Sequence, residues 1–152
     1  IYKSADEATI RSWKIKLPGC RNTGMLTGEV VGADIDVLDE QLACDIERLA
    51  YETLGRSPLK RIGLPPKRAL LYRSIEPFRK VNGGELYIGE QKHKIEVLAQ
   101  GQQIVAFGLH PDTHLPYEWT GQTPCDVPLD QLPIVTEAQC REFAFKSTDM
   151  LR

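Results

Sequence analysis

The sequence has few of the features that several large protein classes require. Its 152 residues include four cysteines, and none of them forms a Cys-x-x-Cys pair or stands next to a histidine. This spacing argues against a zinc site and against a disulfide scaffold, and it predicts reduced thiols in the cytoplasm. No apolar run reaches the roughly 20 residues that cross a bilayer, and no signal-peptide pattern is present. We therefore expect neither a membrane protein nor a secreted one.

Two nucleotide- and metal-binding motifs are also missing. The Gly-x-x-x-x-Gly-Lys-Ser/Thr loop of P-loop ATPases does not occur, which excludes that class. His110 and His114 stand four residues apart, but prolines interrupt their segment. A zinc-binding pair at this spacing needs a helix, so we do not expect one here.

Charge is distributed unevenly along the chain, although the net charge is only −2. Residues 56–80 carry a net charge of +7, whereas residues 1–55 carry −4 and residues 81–152 carry −5. The basic residues of the central block are Arg56, Lys60, Arg61, Lys67, Arg68, Arg73, Arg79 and Lys80. Such a block suits a polyanionic partner, but a solvated basic edge would have the same composition.

One buried strand, predicted over residues 28–37, carries two carboxylates near its end. Side chains alternate along a strand, so Asp34 and Asp36 share one face while Ile35 points to the other. Two like charges on one face are costly unless they are paired or bind a cation. The pair therefore indicates either a divalent-metal site or two solvated carboxylates at the end of a strand.

The remaining pattern predicts a single α+β domain over residues 1–152. A mixed or antiparallel central sheet should be flanked by helices. The first helix should begin at a capping box from Ser4 to Glu7 and run to about Trp13, with Ile10 and Trp13 packed inward. Two further helices are predicted over residues 39–54 and from Thr136 to about Lys146.

Short strands are predicted after the second helix. They lie at residues 59–62, 69–73, 85–88, 92–98 and 103–107, with a turn at Gly83 and Gly84 before the third of them. In the fourth strand Lys94, Glu96 and Leu98 should share one face. If that face is the one that carries Asp34 and Asp36, Glu96 becomes a third carboxylate at the same place; otherwise it is an exposed acid at a strand edge.

An ordered set of these segments resembles a known family, the bifunctional DNA primase/polymerase N-terminal (prim-pol) domain of the archaeo-eukaryotic primase superfamily. The segments are Leu17 to Gly19, Asn22 to Gly24, Thr27 and Gly28, Val30 to Asp36, Ala69 to Arg73, Ile95 to Val97, His110 to Thr113 and Tyr117 to Trp119. The likeness covers roughly residues 9–135. Domains of this kind occur in plasmid, phage and prophage replication proteins. The chain begins with Ile1 rather than Met, so we expect a fragment of a longer protein.

The resemblance implies a nucleotidyltransferase that uses two metal ions. Asp34, Asp36 and Glu96 would hold Mg²⁺ or Mn²⁺, and Lys67, Arg68 and His110 would neutralise the triphosphate of the incoming nucleotide. The remaining basic residues would contact the DNA template and primer: Arg56, Lys60, Arg61, Arg73, Arg79 and Lys80. The parent protein is expected to act with a helicase domain further along its chain.

Three positions depart from the family pattern. Glu96 replaces the usual Asp, His114 stands where Gly is usual, and Ala69 occupies a position that often holds a phosphate-contacting His. The last departure leaves two alternatives open. Lys67 or Arg68 substitutes for the histidine, or the domain is a catalytically weakened or inactive DNA-binding module. A metal-dependent nuclease that uses the same acids is a third interpretation.

Overall fold

The computed structural model describes residues 5–152, so Ser4 of the expected capping box lies outside the described residues. Its helices are α1 (Glu7–Lys16), α2 (Glu40–Leu54) and α3 (Glu137–Met150), with a short 3₁₀ helix at Leu129–Gln131. Its strands are β1 (Thr23–Leu26), β2 (Val30–Asp36), β3 (Lys60–Ile62), β4 (Arg68–Arg73), β5 (Val81–Ile88), β6 (Gln91–Leu98), β7 (Gln103–Phe107) and β8 (Glu118–Trp119). No helix within residues 5–152 is long and apolar enough to cross a membrane.

The strands form one large sheet and one small one. Six strands lie in the order β5-β6-β2-β4-β3-β8, and β1 pairs with β7. The α+β class is therefore confirmed. Of the two expected arrangements, mixed or antiparallel, the sheet has the antiparallel one, because every pairing between these strands is antiparallel. The chain returns from α2 into the β3–β4 hairpin, and β4 then pairs antiparallel with β2.

Two helices cover one face of the large sheet. The α2 helix begins where the Asp39 side chain accepts a hydrogen bond from the Leu42 amide at 2.7 Å, and it ends at Gly55 with a φ of 92°. These termini confirm the predicted helix, since an Asp N-cap and a Gly C-terminal stop are standard boundary signals. Its buried side chains join those of α3 and alternate residues of β2 in the main core: Val31, Ala33, Ile35, Ala43, Ile46, Ala50, Cys140, Phe143 and Ala144.

The opposite face of the sheet is only partly covered. A second apolar cluster forms where the small β1–β7 sheet packs against β2 and β4: Leu59, Ala69, Leu71, Ile104, Val127 and Leu132. Trp119 packs against this cluster. The part of the face beyond the cluster carries Asp34 and Asp36.

The N-terminal helix differs from its prediction. It starts at Glu7, because the Asp6 side chain caps it by accepting from the Thr9 amide, and it continues past Trp13 to Lys16. The inward packing expected for Ile10 is wrong, since Ile10 is 53% exposed. Helical periodicity alone did not show whether another element covers this side of the helix.

The turn expected at Gly83 and Gly84 is also wrong, because both residues lie inside β5, next to a register shift against β6. They are glycines because α3 passes very close. A Cβ at Gly83 would lie 3.0 Å from the Ala144 carbonyl oxygen, and one at Gly84 would lie 2.8 Å from the Thr148 methyl carbon. The α3 helix has the predicted capping box between Thr136 and Gln139 but runs on to Met150.

Candidate active site

A row of cross-strand neighbours brings the acidic strand together with its partners. Asp34 of β2 lies directly opposite Ala69 of β4 on one side and Glu96 of β6 on the other. Ala69 in turn faces Arg61 of β3. Because directly opposed residues share a face, with Cβ atoms about 5 Å apart, these side chains all point away from the helices. Of the two alternatives that the sequence left open, Glu96 therefore has the first: it shares a face with Asp34 and Asp36.

A polar pocket of about 270 Å³ opens at the end of this row. It lies where the C-terminal end of β2 meets the β3–β4 turn and the loop that follows β7. The charged, imidazole and phenol side chains that line it are Asp34, Asp36, Arg61, Lys67, Arg68, His110, Asp112 and Tyr117. Five of the six residues that sequence reasoning assigned to the nucleotide site or the metal site border this one cavity: Asp34, Asp36, Lys67, Arg68 and His110.

The aromatic wall of this pocket depends on a glycine. A Cβ at Gly63 would lie 2.4 Å from the Tyr117 ring and 2.9 Å from the His110 ring, so only glycine lets the β3–β4 turn approach both rings. The two rings have their centroids 5.4 Å apart. The Arg61 guanidinium carbon lies 4.6 Å from the Tyr117 ring centroid, in the position of a cation–π contact. The Arg61 Nη1 also donates to the Val105 carbonyl, which fixes the guanidinium in the pocket.

His110 is oriented to donate a hydrogen bond. Its Nδ1 accepts from the Asp112 amide at 3.2 Å. A neutral imidazole that accepts at Nδ1 carries its proton at Nε2, so the Nε2–H is the donor that remains. This group suits an anionic oxygen in the pocket.

The three carboxylates lie in three different electrostatic environments. Burial raises the pKa of Asp34 to about 6, and the nearby Asp36 and Glu96 raise it further while Arg61 opposes the change. Asp36 forms an ion pair with Lys67, with 2.5 Å between Oδ1 and Nζ. Glu96 pairs with Lys80 and Lys94, and these two lysines outweigh its burial and lower the pKa of Glu96.

A divalent ion suits part of this arrangement. Asp34 and Asp36 supply hard oxygen ligands on one face, and Lys67 already places a positive charge at Asp36. Within residues 5–152, however, no three His, Cys, Asp or Glu side chains are grouped so as to hold a metal ion. Glu96 does not line the pocket and is bound to two lysines instead. The aspartate pair therefore fits Mg²⁺ or Mn²⁺, and Glu96 would have to leave its lysines to join it.

Comparison with protein families identifies the chain. Residues 2–135 match the family model for the N-terminal domain of bifunctional DNA primase/polymerases. The chain belongs to this prim-pol family. Comparisons with curated proteins and with solved structures give no significant match.

The position that often holds a histidine in prim-pol domains lies beside the acids. Ala69 is fully buried and directly opposite Asp34. Its small side chain leaves room for Arg61, the next residue in the cross-strand row, to line the pocket. Burial lowers the pKa of Arg61, and the nearby Asp34 carboxylate counteracts that change. Sequence reasoning placed Arg61 among the DNA contacts, because only the register of the β3–β4 hairpin shows that it faces Asp34.

Arg68 lies differently from its neighbour Lys67. It is opposite Ile35 and so points toward the helices, where its Nη1 lies 2.5 Å from Glu47 and its Nη2 lies 3.2 Å from Glu40. The guanidinium is buried and ties β4 to α2, although part of Arg68 borders the pocket. This position gives no support to the predicted contact between Arg68 and phosphate.

The six predicted DNA contacts do not form one surface. Lys60 pairs with Glu47 on the helix-covered face, and Arg56 stacks on Tyr51 of α2. Arg61 lies in the pocket, and Lys80 pairs with Glu96. Arg73 has a buried Nε with no hydrogen-bond partner, and Arg79 is exposed. Their roles toward DNA stay predictions.

His114 stands where glycine is usual, and its backbone has the left-handed conformation that glycine adopts most readily. Its φ is 55°, and it is the one non-glycine residue with a positive φ among residues 5–152. Its amide donates to the His110 carbonyl at 2.9 Å, which closes the loop that presents the His110 ring.

Proposed function

We propose that this domain is a template-directed nucleotidyltransferase that makes and extends primers in a plasmid, phage or prophage replication protein. The observation that supports this most strongly is the pocket in which Asp34 and Asp36 meet Arg61, Lys67 and His110. Carboxylates next to several cationic or donor groups suit a metal-bound triphosphate, because the two sets of charges neutralise the same ligand. A helicase domain elsewhere in the parent chain would supply the unwound template.

Each pocket residue has a proposed role. Asp34 and Asp36, with Glu96 as the third carboxylate, would hold Mg²⁺ or Mn²⁺, which supplies charge stabilisation at the attacking and leaving oxygens. Lys67, which pairs with Asp36, would be free to contact the phosphates if that carboxylate held a cation. Arg61 and the His110 Nε2–H orient the triphosphate, so Arg61 takes over the contact that the missing histidine would make.

The experiment is primer extension with a labelled primer–template and Mg²⁺ or Mn²⁺. The wild-type domain should lengthen the primer, and Asp34→Asn combined with Asp36→Asn should abolish incorporation. Asp149→Asn is the matched control, since it removes an exposed carboxylate from α3, far along the chain from the pocket residues. Extension that survives the double substitution would overturn the proposal, and shortening of the primer would indicate a nuclease.

One observation favours a second candidate, a DNA-binding module without catalysis. Ala69 places a methyl group where prim-pol domains often have a phosphate contact, directly beside Asp34. This candidate predicts DNA binding that weakens steeply with salt, does not require Mg²⁺ and is accompanied by no nucleotide incorporation. The same primer-extension reactions, run beside a binding titration, distinguish the two.

A further inference from the structure

The half of the sheet formed by β5 and β6 has an uncovered face next to the carboxylates. On β6, Glu96 lies opposite Asp34 and Lys94 lies opposite Asp36. The next pair along the hairpin is Lys92 and Tyr87. Since cross-strand pairs share a face, Tyr87, Lys92 and Lys94 continue the surface that carries the aspartates. We call these three residues the β5–β6 face.

The helices do not cover this face. They pack against the other side of β5 and β6, where Ile95 and Val97 are fully buried. Tyr87 is 62% exposed, and the Lys92 side chain is 45% exposed. Tyr87 lies directly opposite Lys92, and an exposed aromatic ring next to cationic side chains is typical of platforms on which nucleic acid bases stack.

We infer that the β5–β6 face binds the DNA strand whose 3′-hydroxyl attacks the incoming nucleotide; this rests on the proposed function. The cationic pocket lies on the β3–β4 side of Asp34 and Asp36, and the β5–β6 face lies on the opposite side. In phosphoryl transfer the attacking and leaving oxygens stand roughly in line across the phosphorus. With a triphosphate in the pocket and its leaving oxygen directed toward β3 and β4, the attacking strand would arrive from the side of β5 and β6.

The spacing sets how much of the strand the face can reach. Across the sheet, two strand spacings of about 4.8 Å separate β2 from β5. Along the strands, Asp36 is level with Lys94 and Tyr87 is level with Lys92. These two levels are one two-residue step apart, or about 6.6 Å. Tyr87 therefore lies roughly 12 Å from Asp36, which equals about three to four stacked bases at 3.4 Å each. Tyr87 should stack on a base three or four nucleotides from the 3′ end.

The lysines of this face are paired but accessible. Lys92 lies 2.8 Å from Glu85, and Lys94 lies 2.9 Å from Glu96. Exposed ion pairs of the Lys92–Glu85 kind contribute little to stability, so a phosphate can take over the lysine at small cost. Binding of a cation by Glu96 would in addition free Lys94 for the strand.

The test compares variants of this face with matched variants elsewhere. Tyr87→Ala and Lys92→Ala are paired with Phe145→Ala and Lys146→Ala on α3, which remove an exposed aromatic ring and an exposed, ion-paired lysine. Binding of labelled oligonucleotides is followed by fluorescence anisotropy. Tyr87→Ala should raise the Kd of a ten-nucleotide strand about tenfold, the size expected for one lost base–aromatic stack, and leave a dinucleotide unaffected. Lys92→Ala should weaken the same strand and reduce its salt dependence.

Kinetics separate this inference from the proposed function. In primer extension the Tyr87 and Lys92 variants should raise the KM for primer while leaving the KM for nucleotide unchanged. Strand binding and KM values equal to those of the Phe145 and Lys146 variants would overturn the assignment of the face, even if the wild type extends primers. A wild type that binds strands through this face but incorporates nothing would instead overturn the proposed function and the orientation of the strand.

Discussion

The Asp34→Asn variant removes the negative charge that lies nearest to two other carboxylates, and it leaves the size of the side chain almost unchanged. Asp34 has Asp36 and Glu96 as acidic neighbours, and burial makes its ionised form costly. We therefore expect Asp34→Asn to raise the free energy of unfolding at neutral pH in metal-free buffer while it abolishes nucleotide incorporation. A gain in stability together with a loss of activity is expected where function requires a charge that destabilises the fold.

The size of this effect follows from the pKa. Folding raises the pKa of Asp34 from 3.8 to about 6. The stability associated with the bound proton is fully present below about pH 4 and is lost as the pH rises through 6. Two pKa units correspond to about 3 kcal/mol, and the carboxylate is partly exposed to screening solvent, so we expect a gain of about 2 kcal/mol at pH 7.5. At pH 4 the two proteins should be nearly equal in stability.

Urea unfolding in EDTA, followed by circular dichroism at both pH values, measures this difference. Asp36→Asn is the control on the same strand, because it loses the ion pair with Lys67 and should not gain stability. The reasoning is refuted if Asp34→Asn is no more stable than the wild type at pH 7.5. It is equally refuted if the gain is the same at pH 4.

Three further substitutions test other parts of the account. Gly63→Ala should lower both the thermal stability and the primer-extension rate, because the added Cβ would overlap the Tyr117 ring. A melting temperature and an extension rate equal to those of the wild type would contradict the close packing of Gly63 on that ring. Glu47→Gln should cost about 3 kcal/mol in urea unfolding, because it leaves the buried Arg68 charge without its main partner. Arg61→Met should raise the KM for nucleotide at least about tenfold with little change in DNA affinity. Weaker DNA binding with an unchanged KM for nucleotide would instead indicate that Arg61 contacts DNA.

Strand alternation explains why much of the site could be predicted from the sequence. Asp34 and Asp36 had to share a face, and the alternation of β6 put Glu96 and Lys94 together. The α2 helix could also be predicted from the sequence, because its Asp39 cap and Gly55 stop are local signals. Each of these inferences needs only residues that are close in the chain.

The sequence does not show the orientation of residues that depend on distant elements. Arg61 belongs to the pocket because the β3–β4 hairpin pairs it with Ala69, a register that the intervening turn does not reveal. Lys67 and Arg68 are adjacent, yet Lys67 reaches Asp36 while Arg68 turns to Glu47, because β4 begins between them. Ile10 is exposed although it has the spacing of a core residue.

The most direct measurement is a crystal structure of the domain with Mn²⁺ and a non-hydrolysable nucleoside triphosphate, with the metal located by its anomalous scattering. We expect Mn²⁺ bound by Asp34 and Asp36, Lys67 moved from Asp36 to the phosphates, and the Arg61 guanidinium against the triphosphate. A structure in which Lys67 still pairs with Asp36 and the nucleotide lies outside this pocket would contradict the proposed active site.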